Sequence, residues 1–278
     1  MPELPEVETV RRSLVPVVKG QSIVRCLILY DRVLPLNEKT VFCADLVGRV
    51  ICDLRRRGKY LVFVLDNAQY LVIHLRMTGQ LLVYGNDAPA PHNHTSVILS
   101  LDSGQQLHFH DQRRFGTFYL VSEEDMDSIE GLRTLGPEPL SDFFTIDCLQ
   151  KAVQSRSPIK SILLNQKRIA GLGNIYADEV LFQAGIAPTV LGSHVKRAAL
   201  ERLHRSVQIV LREAVELGGS TIRDYVDGHH TRGAFQDRLQ VYGQTGKPCP
   251  RCGTRIERLK IGGRSSHFCP HCQKEDGQ

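Results

Sequence analysis

The chain has 278 residues, 42% of them hydrophobic and 23% charged, a composition that suits a globular protein with room for two domains. No uncharged apolar run reaches the roughly 20 residues that a membrane-spanning helix needs, and the start lacks a secretory signal pattern; membrane and secreted classes are set aside and a cytoplasmic location is expected. The net charge of +5 is uneven: residues 1–130 carry 14 Lys and Arg against 16 Asp and Glu, and residues 131–278 carry 21 against 14, a basic second half of the kind that meets a polyanion.

The first stretch, MPELPEVETV, admits two readings. As a helix start it is well made, because proline suits the first turn, carboxylates there complement the helix dipole, and Val7, Val10 and Leu14 follow at helical spacing before Gly20. That reading leaves Pro2 unexplained. Once Met1 is removed, Pro2 presents a secondary amine with a pKa near that of an α-amino group, about 7.7–8.0. Such an amine can attack an electrophilic carbon and form an iminium, with Glu3 moving the proton.

Strand-like segments follow: SIVRCLILYD, GRVICDLRRR, KYLVFVL, QYLVIHLRM, GQLLVYG, TSVILSL, QLHFHD and GTFYLV. Their length and turn punctuation predict an antiparallel sandwich or barrel built from hairpins. Residues 85–94 read as a long loop and 122–142 as a linker, acidic at first and then rich in Pro and Gly. From about residue 143 the period turns helical in TIDCLQKAVQS, PIKSILLNQKRIA, NIYADEVLFQAGI and VKRAALERLHRSVQIVLREAVEL. Gly-Leu-Gly at 171–173 joins the second and third, which makes a helix–turn–helix unit with Asn174 at a helix N-terminus able to meet phosphate.

Cys249 and Cys252 form one CxxC and Cys269 and Cys272 another, with sixteen residues between the pairs. That spacing predicts one structural zinc ion in a closed four-thiolate site. Arg251 within the first pair and Arg255, Arg258, Lys260 and Arg264 in the insert stand against a single acid, Glu257, a basic hairpin suited to phosphates. Cys26, Cys43, Cys52 and Cys148 read as small buried hydrophobes.

From end to end the chain resembles the bacterial formamidopyrimidine-DNA glycosylases, a base-excision repair family. MPELPEVETV, RRRGKYL, HLRMTGQL, DQRRFGTF, LGPEPL, GLGNIYADEVLF, GGSTIRDY, VYGQTGKPC and the CPRC…CPHC ribbon carry the resemblance, by their order and completeness. It implies an α+β multidomain fold: an N-terminal antiparallel β-sandwich (1–130), a linker (131–142), a helical domain with a helix–two-turn–helix (143–241) and a β-hairpin zinc ribbon (242–278). The expected partner is double-stranded DNA carrying an oxidised base, bound by a monomer.

The resemblance further implies that Pro2 is the nucleophile and Glu3 the proton shuttle of a bifunctional glycosylase and lyase for oxidised purines, with Lys59 and Arg264 as proton donors for the two eliminations. Met77, Arg113 and Phe115 correspond to residues that fill the hole left by an extruded base. His92, Arg156, Lys160 and Asn174 fall where the family touches DNA, and His74 is a further backbone contact. Residues 218–235 resemble the loop that closes on the base. The chain departs from the family at Gln112, commonly proline, and at Gln244, commonly arginine. Two other readings stay open: the sister endonuclease VIII family, which removes oxidised pyrimidines, and a non-catalytic zinc-ribbon protein that binds damaged DNA.

Overall fold

In the computed structural model, which describes residues 1–85, 87–222 and 225–274, PELPEVE begins helix α1 (Leu4–Val18). Leu4, Val7, Val10, Leu14 and Val18 form its buried stripe, and Gly20, at φ +82°, turns the chain away as expected of a glycine past a helix end. After β1 (Ile23–Ile28), an unpredicted helix α2 (Lys39–Leu46) precedes β2 (Ile51–Arg57), β3 (Tyr60–Leu65), β4 (Gln69–His74), β5 (Gly79–Tyr84), β6 (Thr95–Leu101), β7 (Gln106–Asp111) and β8 (Thr117–Ser122). All eight expected strands form. They make two antiparallel sheets in the orders β1-β6-β7-β5 and β2-β3-β4-β8. Phe63, Leu71 and Phe118 from one and Val97, Leu99 and Phe109 from the other join one apolar core with the α1 stripe.

Two compact units emerge: Met1–Arg133 with Gly218–Ala234, and Thr134–Leu217 with the residues from Phe235 onward. Two sequence expectations change as a result. The 122–142 linker is ordered at its start, with a 3-10 turn at Glu124–Ser128 and a short helix α3 (Glu130–Arg133). Ile129 is buried there, and Gly131 has no room for a Cβ, which would lie 2.2 Å from the Tyr60 hydroxyl. Residues 218–234, read with the helical half, belong instead to the sandwich unit, for reasons given below.

The second unit holds α4 (Ile146–Val153), α5 (Ile159–Leu164), α6 (Asn174–Ala184) and α7 (Arg197–Glu216), then the hairpin β9 (Glu257–Ile261) and β10 (Arg264–Phe268). Helix α5 is shorter than its sequence period suggests. From Asn165 the chain turns, and Gln166 templates that turn: its carbonyl oxygen accepts from Gly171 N–H at 2.9 Å, and its amide donates to Leu172 O at 2.7 Å and Leu164 O at 3.0 Å. The connection between α5 and α6 is thus longer than the glycine turn alone.

The ribbon is not a separate body. Glu179 of α6 accepts from the backbone N–H groups of Gln240, Val241 and Tyr242 at 2.8–3.0 Å. Arg251 donates to Phe182 O and lies 4.2 Å over that ring. Phe182, Val241, Cys249, Ile256 and Cys269 share one small core.

Candidate functional site

Pro2 and Glu3 are buried at the mouth of α1, and Met1 is 46% exposed. Glu3 is the N-cap, in a reciprocal capping box with Glu6; its own N–H donates to Glu6 Oε2 at 2.8 Å. The other carboxylate oxygen of Glu6 accepts from Ser220 N–H at 2.7 Å, and the Tyr225 hydroxyl donates to Glu6 O at 3.1 Å. A Cβ on Gly219, at φ +76°, would come within 2.8 Å of Glu6 Oε1, so only glycine lets this segment reach the helix. Farther along, Gly228 N–H donates to Ser13 Oγ and Val83 N–H to Gly228 O. These bonds bring 218–234 into the sandwich unit. The expected base-closing loop includes residues 223 and 224, which lie outside the described residues.

Lys59 is 6% exposed, in the turn between β2 and β3. Arg56 fixes that turn by donating to Gly58 O at 3.0 Å while its Nε pairs with Glu8 Oε2 at 3.1 Å. Glu8 also pairs with Arg11 at 2.8 Å and Arg12 at 3.0 Å. Burial works against its charge, but the three guanidinium groups prevail and hold the carboxyl below its ordinary value. A depressed folded-state pKa contributes stability above the unfolded-state value and loses it as pH falls through the folded one. Glu8→Gln should therefore lower unfolding stability by about 0.5–1 kcal/mol at pH 7, the range of a partly screened pair, with the gap closing toward pH 3; urea melts at the two pH values check it.

His74 faces Tyr60 across the ladder, with ring centroids 4.4 Å apart. Its Nδ1 accepts from Arg76 N–H at 2.9 Å. Burial, with Arg76 and Lys59 adding to it, lowers its pKa to about 3. A neutral imidazole with Nδ1 occupied has only Nε2–H left to donate.

A buried carboxylate at the end of β7 organises the residues expected to fill an emptied base stack. Asp111 Oδ2 accepts from Phe115 N–H at 2.8 Å and Gly116 N–H at 2.7 Å, and Oδ1 from Arg113 N–H at 3.2 Å and from the Thr78 hydroxyl. This locks the 112–116 turn to the turn that carries Met77. Arg113 and Phe115 stay outside: the guanidinium sits 4.7 Å over the Phe115 ring, itself 52% exposed. Met77 is half-buried. His92 is exposed, beside a cavity of about 660 Å³ also lined by Thr78, Gln112, His110 and His230.

In the second unit, Arg156 is exposed in the turn before α5, and Arg264 is exposed at the start of β10, just past Gly262 and Gly263. Asn174 is the first residue of α6 after the N-cap Gly173. Lys160 corrects its expectation as a direct DNA contact. It is fully buried, its ammonium held by Asp178 Oδ1 at 2.6 Å and by Asn174 O at 3.0 Å, so it orders the start of α6 from inside.

The four cysteines at 249, 252, 269 and 272 are, among the described residues, the one group of three or more His, Cys, Asp or Glu whose ligand atoms converge, all within 4.8 Å. Sγ–Sγ separations of 3.8 Å (Cys249–Cys272) and 3.5 Å (Cys252–Cys269) suit thiolates around one zinc, whose bonds of about 2.3 Å span about 3.8 Å between ligands. Arg251 N–H and Cys272 N–H each donate to a cysteine sulfur at 3.4 Å, which favours the thiolate. A zinc held here by four sulfurs is structural.

With the geometry in place, three family models match in order: the formamidopyrimidine-DNA glycosylase N-terminal domain at residues 1–118, the H2TH domain of the same family at 135–226, and the zinc finger found in FPG and IleRS at 246–274. A formamidopyrimidine-DNA glycosylase of Pelotomaculum thermopropionicum is 46% identical over 277 residues, covering 99% of each chain. The chain belongs to the formamidopyrimidine-DNA glycosylases. A mutant Lactococcus lactis FPG bound to Fapy-dG containing DNA matches at a TM-score of 0.91 and 39% identity, covering 98% of this chain and 100% of that one. The complex of Lactococcus lactis Fpg with abasic-site DNA matches at 0.90 and 39%, covering 98% and 99%.

Within this family's frame, Pro2, Glu3, Lys59, His74, Met77, His92, Arg113 and Phe115 fall in the sandwich unit, and Arg156, Lys160, Asn174, Arg264 and the cysteines in the other. The sequence alone does not single out the carboxylates that hold them: Glu6, Glu8, Asp111, Asp178 and Glu179. Among the described residues no helix is long and apolar enough to cross a membrane.

Proposed function

We propose that the chain excises oxidised purines, 8-oxoguanine and formamidopyrimidines, from double-stranded DNA and then cuts the abasic site, with Pro2 as the nucleophile. The base must first leave the stack, because C1′ is unreachable inside a duplex. The lone pair of Pro2, freed of Met1, attacks C1′; the bond from C1′ to the base breaks, and the base departs with the proton that the Pro2 nitrogen gives up. Glu3 protonates O4′ as the sugar ring opens, leaving an iminium between Pro2 and C1′. That cation draws electrons from C2′–H, whose loss expels the 3′ phosphate; a second proton loss expels the 5′ phosphate, and water then frees Pro2. Lys59 and Arg264 donate protons in the two eliminations.

The observation that carries this reading is the shared carboxylate of Glu6. One oxygen fixes the cap residue Glu3 and the other the segment at Ser220, so nucleophile, proton shuttle and the base of the closing loop are held by one side chain. Met77, Arg113 and Phe115 take the place of the lost stacking. His92, Arg156, Asn174 and the Nε2 of His74 meet the DNA backbone, while Lys160 acts through Asn174. The division of labour follows 1–130 with 218–234 for chemistry, 131–142 as connection, the rest of 143–241 for DNA binding and 242–278 for the zinc ribbon. The chain works as a cytoplasmic monomer, and a four-thiolate zinc site, which needs reduced cysteines, supports the location.

The test compares single-turnover excision from duplexes holding 8-oxoguanine opposite cytosine and thymine glycol, each quenched with borohydride. Excision at least about tenfold faster on 8-oxoguanine, worth about 1.4 kcal/mol of barrier, with a covalent protein–DNA adduct, is expected. Faster excision of thymine glycol assigns the oxidised-pyrimidine branch, and absence of any adduct assigns a non-catalytic binder.

A further inference from the structure

Asp178 has no counterpart in the chemistry above, yet it is among the most fully enclosed charges described, at 1% exposure. Its Oδ1 accepts from the Lys160 ammonium at 2.6 Å and the Ser266 hydroxyl at 2.9 Å. Its Oδ2 accepts from His267 N–H at 3.0 Å and is 3.1 Å from His267 Nδ1. The His267 ring is wedged edge-on against Tyr242, 5.0 Å between centroids. Three elements therefore meet at one carboxylate: α5 through Lys160, α6 through Asp178 itself, and β10 through Ser266 and His267.

We infer that Asp178 is a positioning residue for the second elimination, fixing the strand that carries Arg264 to the helix that begins at Asn174. The inference rests on the reading of Arg264 as the proton donor of that step. Side chains two apart on a strand share a face, so Arg264 lies on the Ser266 side of β10, about 6.6 Å along the strand at 3.3 Å per residue. Ser266 is fully buried and Arg264 exposed: the strand leaves its anchor and presents the guanidinium within two residues. The register Arg264↔Ile261, Ser266↔Leu259 passes any tilt at the anchor directly to the tip. Lys160 extends the same lock to Asn174 O at 3.0 Å, so one carboxylate sets both the expected phosphate contact on α6 and the donor on β10. A shift near 1 Å at a catalytic group can cost about a hundredfold in rate. The four-cysteine site lies at the open end of the hairpin, and Asp178 grips β10 at Ser266 and His267, between that end and Arg264.

The test uses the full, zinc-loaded chain on duplex DNA with a preformed abasic site, in single turnover, and separates the product cut only on the 3′ side from the product cut on both sides. Asp178→Asn should slow the second elimination by about ten- to a hundredfold, with the first elimination and the borohydride adduct within about threefold of wild type and one zinc per chain retained. Because Asp178→Asn leaves Lys160 buried without its counter-charge and can weaken the fold, Ser266→Ala is measured beside it. It keeps that ion pair and the two His267 contacts, removes the strand's side-chain anchor at Ser266, and should shift the ratio of the two products in the same direction by a smaller amount. Proportional loss of both eliminations in both variants, or an unchanged ratio in both, overturns the inference. Arg264→Ala serves as the reference: if it keeps the second elimination, the Arg264 reading falls and takes this inference with it. If it loses that step while Asp178→Asn and Ser266→Ala behave as wild type, the inference alone is overturned.

Discussion

Pro2→Gly is expected to lose at least about a thousandfold in borohydride-trapped adduct formation on an 8-oxoguanine duplex, about 4 kcal/mol of barrier, while folding as the parent does. The glycine amine retains basicity, since any α-amino group sits near pKa 7.7–8.0, so basicity is not what is lost. A secondary amine condenses with C1′ to a permanently cationic iminium, whereas a primary amine gives an imine that must first capture a proton. The ring of Pro2 is also buried at the mouth of α1, which fixes the direction of the nitrogen; glycine swings freely. Glu3→Gln should separate the steps. On a preformed abasic site the sugar already opens to an aldehyde, no O4′ protonation is needed, and the adduct should persist, while on 8-oxoguanine it should be lost. A full adduct yield from Pro2→Gly would show that the secondary amine of Pro2 is not required, and a peptide map placing the adduct on a lysine would move the nucleophile there. Retention of Met1 in working enzyme, read by intact mass, would be equally damaging, because an amide nitrogen at Pro2 has no lone pair to give.

The parts of this site that a sequence exposes are those whose chemistry is local. Pro2, Glu3 and the capping box lie within six residues, and the two CxxC pairs announce zinc by spacing alone. Short apolar runs of strand length, cut by turn signals, make all eight sandwich strands legible, although several are buried at almost every position rather than alternately. KTVFCADL gives no such signal, because a two-turn helix that buries only Phe42 and Leu46 leaves almost no period. The supporting carboxylates are invisible for a different reason. Glu6 looks like a residue placed for the helix dipole, and its bond to Ser220 spans 214 positions. Asp111 and Asp178 are written with the same letters as solvated surface charges, and only tertiary structure shows them almost wholly buried and surrounded by donors. Lys160 misleads on the same account: a lysine beside a basic turn resembles a phosphate contact until Asp178 is found beneath it. The 218–234 glycines suggest flexibility, and at Gly219, Gly228 and Gly233 they instead permit backbone contact closer than any Cβ allows.

Removal of zinc, by a strong chelator or by Cys269→Ser, should weaken binding to abasic-site DNA by about a hundredfold or more at physiological salt and abolish the second elimination. The ribbon's own apolar contribution is small, five buried residues with Phe182 among them, so the metal must supply most of its folding free energy, of the order of 10–16 kcal/mol in comparable sites. Without it β9 and β10 lose their register, and with them go the fixed positions of Arg255, Arg258, Lys260 and Arg264. Each phosphate that the protein ceases to neutralise lowers the slope of log affinity against log salt by about 0.9. Binding isotherms at several salt concentrations should therefore give a shallower line for the zinc-free protein, and the gap from the parent should narrow as salt rises. The sandwich unit has a large core of its own and should remain folded, so far-ultraviolet dichroism changes little while zinc release reads one equivalent. Adduct formation at saturating abasic DNA should survive within about tenfold, since Pro2, Glu3 and Lys59 all belong to that unit. Stoichiometric zinc loss with unchanged affinity and slope would show that the ribbon holds no phosphates. Parallel loss of adduct and binding at saturating DNA would show that the sandwich cannot act alone.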